Sequence, residues 1–139
     1  MIVLDASIMI AWLLGEEPVA DTVSLTTVLR DMPAIAPSHW PLEISNTLRT
    51  HLRAERLSIS DFQIVVEKLA SISIRIEPTM DIDEVGPLAQ FALAHGLTAY
   101  DGAYVQLALQ RGATLATLDR AMRRAAGTLS IPVLPLTVS

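Results

Sequence analysis

The chain has 139 residues, a formal net charge of −5 at pH 7 and no cysteine. This length suits a single domain, residues 1–139, built around one core. The negative charge argues against a protein that coats nucleic acid through bulk positive charge, and the lack of cysteine excludes disulfides, a thiol nucleophile and a cysteine-based zinc site.

Hydrophobic residues make up 51% of the chain, which favours a protein whose apolar surface is partly covered by a partner. No apolar run reaches the roughly 18 residues of a membrane span. The apolar start, residues 1–14, carries Asp5 and lacks the basic segment and cleavage site of a signal peptide. We therefore expect a cytoplasmic protein with no membrane association.

The first elements alternate between strand and helix patterns. Residues 2–4 form a β-branched run that predicts a buried strand, and residues 7–14 change to helical spacing before Gly15. Residues 18–32 predict a second helix, and residues 33–37 a short extended segment between prolines.

A third helix is predicted after Ser38, which is a suitable N-cap. Ile44, Leu48 and Leu52 recur at four-residue spacing and define its buried face. Glu43 lies beside that face, so we expect it at the rim of a cleft.

The later elements continue the alternation. In order they are a helix at 60–72, a strand at 74–76, helices at 81–95 and 100–111, a strand at 114–118, a helix at 119–127 and an extended segment at 132–136. Thr98 is the predicted N-cap of its helix, which puts Asp101 in the first turn. Asp119 directly follows a strand and starts a helix.

Short strands alternating with helices predict right-handed crossovers and a parallel sheet with helices on both faces, which is a three-layer α/β/α sandwich. In such sheets ligands bind beyond the carboxyl ends of the strands. Asp5 and Asp119 follow strand ends of this kind.

Four acidic residues are the main candidates for chemistry: Asp5, Glu43, Asp101 and Asp119. If the fold brings them together, their mutual repulsion must be relieved, and a hard divalent cation bound through carboxylate oxygens is the usual means. This would make the protein a metal-dependent phosphodiesterase. The alternative for Asp101 and Asp119 is helix capping, whereas a carboxylate closing a buried strand, as at Asp5, is costly unless it is paired or metal-bound.

The segments around these acids resemble the PIN-domain ribonuclease family, and within it the VapC-type toxins of type II toxin-antitoxin systems. The resemblance spans essentially the whole chain and rests on residues 3–7 (VLDAS), 41–46 (PLEISN), 97–101 (LTAYD) and 115–119 (LATLD). One departure is Gly102, where the family more often has alanine.

The resemblance implies an α/β/α fold and an endoribonuclease that depends on Mg²⁺ or Mn²⁺. It makes the four acids both catalytic residues and metal ligands, with Glu43 on a second metal or orienting the attacking water. It also places a hydroxyl near the metal at Ser7 and Thr117. Asn46, three residues after Glu43, shares its side of the predicted helix, so these three residues are candidates to support the acids. The partners that it implies are an RNA substrate, an antitoxin protein and a second copy of the chain, in a homodimer within a larger toxin-antitoxin assembly.

Arg120, Arg123 and Arg124 cluster after the last acid and are candidates for contact with RNA phosphates, with a solvated helix face as the alternative. The histidines His39, His51 and His95 show no metal-ligand spacing, so no chemistry is assigned to them. The four largest aromatic side chains are expected in the core: Trp12, Trp40, Tyr100 and Tyr104.

Other enzyme and binding classes fit less well. A haloacid dehalogenase-type phosphatase needs a second aspartate where this chain has Ser7, a receiver domain needs a late lysine and none follows Lys68, and no G-x-G-x-x-G follows the first strand. The serious alternative is a non-catalytic RNA-binding or scaffold module with the same fold. The intact acids argue against it.

Overall fold

The computed structural model describes residues 1–15 and 22–135 of the chain. Its centre is a five-stranded sheet in which every pairing is parallel. The strands are β1 (Ile2–Leu4), β2 (Ala34–Ala36), β3 (Ile74–Ile76), β4 (Thr114–Ala116) and β5 (Val133–Leu134), in the spatial order β3-β2-β1-β4-β5. The prediction of a parallel sheet flanked by helices is confirmed.

Seven helices connect and cover these strands in the described part of the chain. They are α1 (Ala6–Leu14), α2 (Thr22–Asp31), α3 (Trp40–Arg53), α4 (Ile59–Ser71), α5 (Val85–Ala94), α6 (Ala99–Arg111) and α7 (Arg120–Thr128), with a 3₁₀ turn at Ile82–Glu84 before α5. None of the helices described is long and apolar enough to cross a membrane.

The order of the strands locates the cleft. The chain builds the sheet outward from β1 through β2 to β3, then returns to add β4 and β5 on the other side of β1. The direction of winding therefore reverses between β1 and β4, and the crevice at such a reversal is where open α/β sheets bind ligands. Asp5 and Thr117 are the first residues after these two strands.

The core forms on both sides of β1, whose side chains are fully buried. In α6, Tyr104, Val105 and Ala108 are also completely buried, as expected for a helix that packs on β1 and β4. Gly102 explains how α5 and α6 approach so closely, because a Cβ at this position would lie 2.9 Å from the Cβ of Ala92. Replacing Gly102 by alanine would require these two helices to shift.

Several element boundaries differ from the sequence prediction. Helix α3 begins at Trp40 with His39, not Ser38, as its N-cap, and α4 begins one residue after Ser58, whose hydroxyl accepts a hydrogen bond from the Asp61 amide at 3.1 Å. The predicted helix 81–95 is divided into a 3₁₀ turn, closed by a capping box between Asp81 and Glu84, and then α5.

Two predicted segments are only partly covered. Of the predicted helix 18–32, residues 22–31 are helical, and residues 18–21 lie outside the described residues. Residue 136 of the last predicted segment also lies outside them. Tyr100, expected in the core, is 66% exposed, so that prediction was wrong.

Candidate active site

Asp5 is held at the end of β1 by a set of local hydrogen bonds. Its Oδ2 accepts from the Ser7 hydroxyl at 2.6 Å and from the Thr117 hydroxyl at 2.7 Å, and its Oδ1 accepts from the Ser7 amide at 3.4 Å, which caps α1. The residue is only 6% exposed. Burial raises the pKa of Asp5; the hydrogen bonds from Ser7 and Thr117 oppose this shift, and the charge of Glu43 adds to it.

Thr117 connects Asp5 to Asp119. Its buried hydroxyl donates to Asp5 and accepts a hydrogen bond from the Asp119 amide at 3.0 Å. Asp119 is the N-cap of α7, and its Oδ1 accepts from the Met122 amide at 2.8 Å. One threonine therefore fixes the relative positions of two acids that follow neighbouring strands.

Glu43 lies in the first turn of α3 and is contacted by two side chains. The Tyr104 hydroxyl donates to Glu43 Oε1 at 2.6 Å, and His39 Nε2 lies 3.2 Å from the same oxygen. Burial raises the pKa of Glu43, but the hydrogen bonds from His39 and Tyr104, together with the charge of His39, outweigh burial and lower it. Glu43 is therefore ionised at neutral pH.

Asp101 lies in the first turn of α6, whose N-cap Thr98 accepts a hydrogen bond from the Asp101 amide at 3.1 Å. The pKa of Asp101 is raised, first by burial and then by the charges of Asp119, Asp5 and Glu43. These charges act on Asp101 because all four acids belong to the same site.

The four acids line a single cleft of about 330 Å³, and a histidine missed by the sequence analysis lines it with them. The remaining lining residues are Ala6, Ser7, Ile10, Thr47 and His51. A larger cavity, about 580 Å³, lies beside Tyr100 and α5, but its acidic residues are Glu77, Asp83 and Glu84. The smaller cleft is the better candidate because it lies at the carboxyl ends of β1 and β4, where the direction of winding reverses.

The comparison with protein families decides what kind of protein this is. The model of the PIN domain matches residues 2–128 of the chain. The chain belongs to the PIN-domain family. The resemblance seen in the sequence is thus confirmed, and a relative from Pyrobaculum aerophilum named Ribonuclease VapC3 is 28% identical to this PIN domain over 119 residues, which are 86% of this chain and 89% of that protein.

Solved structures share the fold. The crystal structure of PAE2754 from Pyrobaculum aerophilum has a TM-score of 0.67 and 21% identity, covering 95% of this PIN domain and 81% of that chain. VapBC2 from Rickettsia felis, bound to a DNA fragment from their promoter, has a TM-score of 0.64 and 14% identity, covering 96% of this chain and 97% of that one. At these identities the likeness establishes the fold.

The donor set of this PIN domain suits a hard cation, because it consists of carboxylate oxygens with no lysine or arginine among the lining residues. Within residues 1–15 and 22–135, no three His, Asp or Glu side chains have the arrangement of a metal site. Asp5, Glu43 and Asp119 each accept hydrogen bonds from protein donors.

The residues predicted to support the acids have different positions. Ser7 and Thr117 both bond directly to Asp5. Asn46 is exposed on α3 and is not among the residues that line the cleft. Asn46 is three residues after Glu43, on the same side of α3, but it lies outside the cleft.

The three arginines after Asp119 have different surroundings. Arg123 donates to the Thr117 carbonyl at 2.9 Å and to the Pro135 carbonyl at 2.7 Å, so it ties α7 to the ends of β4 and β5. Arg120 and Arg124 are exposed, and Arg123 is part-buried. For all three arginines, contact with RNA phosphates stays a prediction.

His39 and Tyr104 both contact Glu43, and neither was predicted from the sequence to belong to the site. His39 is four residues before Glu43, and this spacing along a helix could have indicated the contact. Tyr104 reaches Glu43 from α6, which packs on β1 and β4, and no local sequence signal predicts that contact.

Proposed function

We propose that this PIN domain, residues 1–139, is a metal-dependent endoribonuclease and the toxin of a toxin-antitoxin pair. The observation that carries the proposal is the convergence of Asp5, Glu43, Asp101 and Asp119 on one cleft at the strand ends. The name of the relative Ribonuclease VapC3 supports RNA as the substrate.

The roles proposed for the four acids are those that the PIN-domain resemblance implies. Asp5, Asp101 and Asp119 would hold Mg²⁺ or Mn²⁺, and Glu43 would bind a second ion or orient the attacking water. When bound, the cation supplies positive charge that polarises a phosphoryl oxygen and makes water more acidic. Ser7 and Thr117 keep Asp5 in place. The ionised Glu43 carboxylate can accept a proton from water.

The charge of the chain restricts how RNA binds. Because the net charge is −5, attraction of phosphates has to be local. The exposed guanidinium groups of Arg120 and Arg124, in the helix that Asp119 caps, are the proposed contacts.

An antitoxin and a second copy of the chain are the proposed protein partners. Support for the antitoxin comes from the fold shared with VapBC2 and from exposed apolar side chains on α3 and α4, such as Leu42 at 74% and Ile59 at 69%. Further apolar area at Ile82 and Leu93, 88% and 84% exposed, is available to a homodimer within a larger assembly.

The test is cleavage of a cellular RNA pool by the purified chain, with Mg²⁺, with Mn²⁺ and with a chelator. We expect discrete fragments with either metal, none with the chelator, and a loss of about 100-fold or more in rate for Asp5→Asn. Asp61→Asn is the matched control, since Asp61 is an exposed aspartate in the first turn of α4 and does not line the cleft. RNA that is bound but uncut under every metal condition would instead favour the non-catalytic module.

A further inference from the structure

We infer that Tyr104 is a positioning residue, whose buried hydroxyl, together with His39, fixes the Glu43 carboxylate for cation binding. The inference rests on the proposed function for the cation itself. It assigns a role to two residues outside the set of four acids.

The direction of the hydrogen bonds at Tyr104 follows from the donors around it. The Ala6 amide donates to the Tyr104 oxygen at 3.4 Å, and the phenol lies 2.6 Å from Glu43 Oε1. A phenol has one proton to donate, so that proton goes to Glu43.

His39 supplies the second donor. Its Nε2 lies 3.1 Å from the Tyr100 carbonyl oxygen and 3.2 Å from Glu43 Oε1. Both of these atoms are acceptors, so Nε2 must carry a hydrogen. The imidazole is held in this orientation by edge-to-face contacts with the rings of Tyr100 and Tyr104, at centroid distances of 5.8 and 5.2 Å.

Both donors reach Oε1 of Glu43, and neither of these contacts uses Oε2. The carboxylate is thus fixed through one oxygen, while the other is the oxygen for a cation or a water. Without the donors, Glu43 would be free to rotate away from the negative charges of Asp5 and Asp101, which act in the same cleft. Binding a cation would then require ordering the side chain against this repulsion.

The size of the expected effect follows from other metal sites, where loss of a hydrogen bond that orients a ligand typically weakens metal affinity by about 10–100-fold. We place Tyr104→Phe at the lower end, about 10-fold, because His39 still donates to Oε1. Phenylalanine keeps the ring, which is fully buried in the core, so the variant removes the hydroxyl alone.

The experiment is a calorimetric titration of the full chain with Mn²⁺, using the wild type, Tyr104→Phe, Glu43→Gln and the double variant. We expect about 10-fold weaker Mn²⁺ binding for Tyr104→Phe, and no further loss when it is added to Glu43→Gln.

In RNA cleavage by Tyr104→Phe, the Mn²⁺ concentration for half-maximal rate should rise about 10-fold, while the rate at saturating Mn²⁺ changes less than 3-fold. A purely structural role of Tyr104 would not raise the half-maximal Mn²⁺ concentration while leaving the rate at saturating Mn²⁺ nearly unchanged. Asp61→Asn is the control, because Asp61 is exposed in the first turn of α4 and does not line the cleft, and it should bind Mn²⁺ as the wild type does.

Mn²⁺ affinity that is unchanged in Tyr104→Phe, or an equal loss in the Glu43→Gln background, overturns the inference while leaving the proposed function intact. A wild-type chain that binds no Mn²⁺ overturns both. If Tyr104→Phe does not fold, His39→Leu decides the question. It should weaken Mn²⁺ binding at least 3-fold through loss of the second donor, and an unchanged affinity contradicts the inference.

Discussion

At the scale of single residues, the site brings together charges that the fold only partly compensates. Asp5 accepts hydrogen bonds from the hydroxyls of Ser7 and Thr117, and Glu43 accepts one from the hydroxyl of Tyr104. Asp101 is instead half-buried among the charges of the other three acids. Residues that serve ligand binding are often placed at such a cost in stability.

The charge of Asp101 should therefore destabilise the metal-free protein. Because its pKa is raised in the fold, the folded state binds the proton more readily than the unfolded state does. Stability then falls as the pH rises from the unfolded value near 3.8 through the higher folded value. We expect Asp101→Asn to raise the melting temperature by roughly 2–4 °C at pH 7 in a chelator, and to give no gain below pH 4. Thermal melts followed by circular dichroism measure this.

The control for this prediction is Asp61→Asn, in which the aspartate removed lies outside the cleft. Its melting temperature at pH 7 should not rise. A lower or unchanged melting temperature for Asp101→Asn at pH 7 would show that the repulsion inferred from the structure is absent.

The sequence singles out the four acids one by one. Asp5 and Asp119 follow predicted strands, Asp101 lies in the first turn of a predicted helix, and Glu43 lies beside the buried face of another. The contacts that orient them were less predictable. Asp5 and Thr117 are far apart in sequence, and the two carbonyls to which Arg123 donates, those of Thr117 and Pro135, meet only in the folded chain.

At the scale of elements, helix starts set the positions of three of the acids. Asp5 and Asp119 are themselves N-caps, and Asp101 is held by the Thr98 cap. Apolar periodicity predicted the helices and strands, whereas the N-cap of α3 is His39, one residue after the predicted Ser38, and Pro41 lies in the first turn. Such boundaries depend on only one or two bonds.

The N-cap of α6 allows a test of whether a helix start positions an acid for RNA cleavage. Thr98→Ala removes the acceptor for the Asp101 amide, so it should reduce the free energy of unfolding by about 1 kcal/mol and also slow RNA cleavage several-fold. Ser58→Ala is the matched control, because it removes the same kind of cap from α4. It should give a similar loss of stability in urea unfolding and leave cleavage unchanged. Equal effects of both variants on cleavage would show that the Thr98 cap does not position Asp101 for cleavage.

At the scale of the whole molecule, the order of strands was not predictable from the sequence pattern. The alternation of strands and helices predicted a parallel sheet, but the arrangement β3-β2-β1-β4-β5 depends on long-range pairing. It is this order that makes β1 and β4 neighbours and brings their carboxyl ends to one crevice.

A cation bound in this crevice should stabilise the whole fold. At a Mn²⁺ concentration 100 times its dissociation constant, the gain in unfolding free energy is about 2.7 kcal/mol. We expect a matching rise in melting temperature for the wild type and for Asp61→Asn, and little or none for Asp5→Asn. If Asp5→Asn gains as much as the wild type, the cation binds elsewhere.

The most direct test of the central claim is the fate of oxygen during cleavage. A short RNA is cut by the purified chain with Mn²⁺ in ¹⁸O-labelled water, and the products are analysed by mass spectrometry at early times. Attack by water at phosphorus, as proposed for the four-carboxylate cleft, predicts a linear terminal phosphate that carries one ¹⁸O atom and no cyclic phosphate. Accumulation of a 2′,3′-cyclic phosphate without ¹⁸O would mean that the RNA's own 2′-hydroxyl is the nucleophile, which would contradict the account.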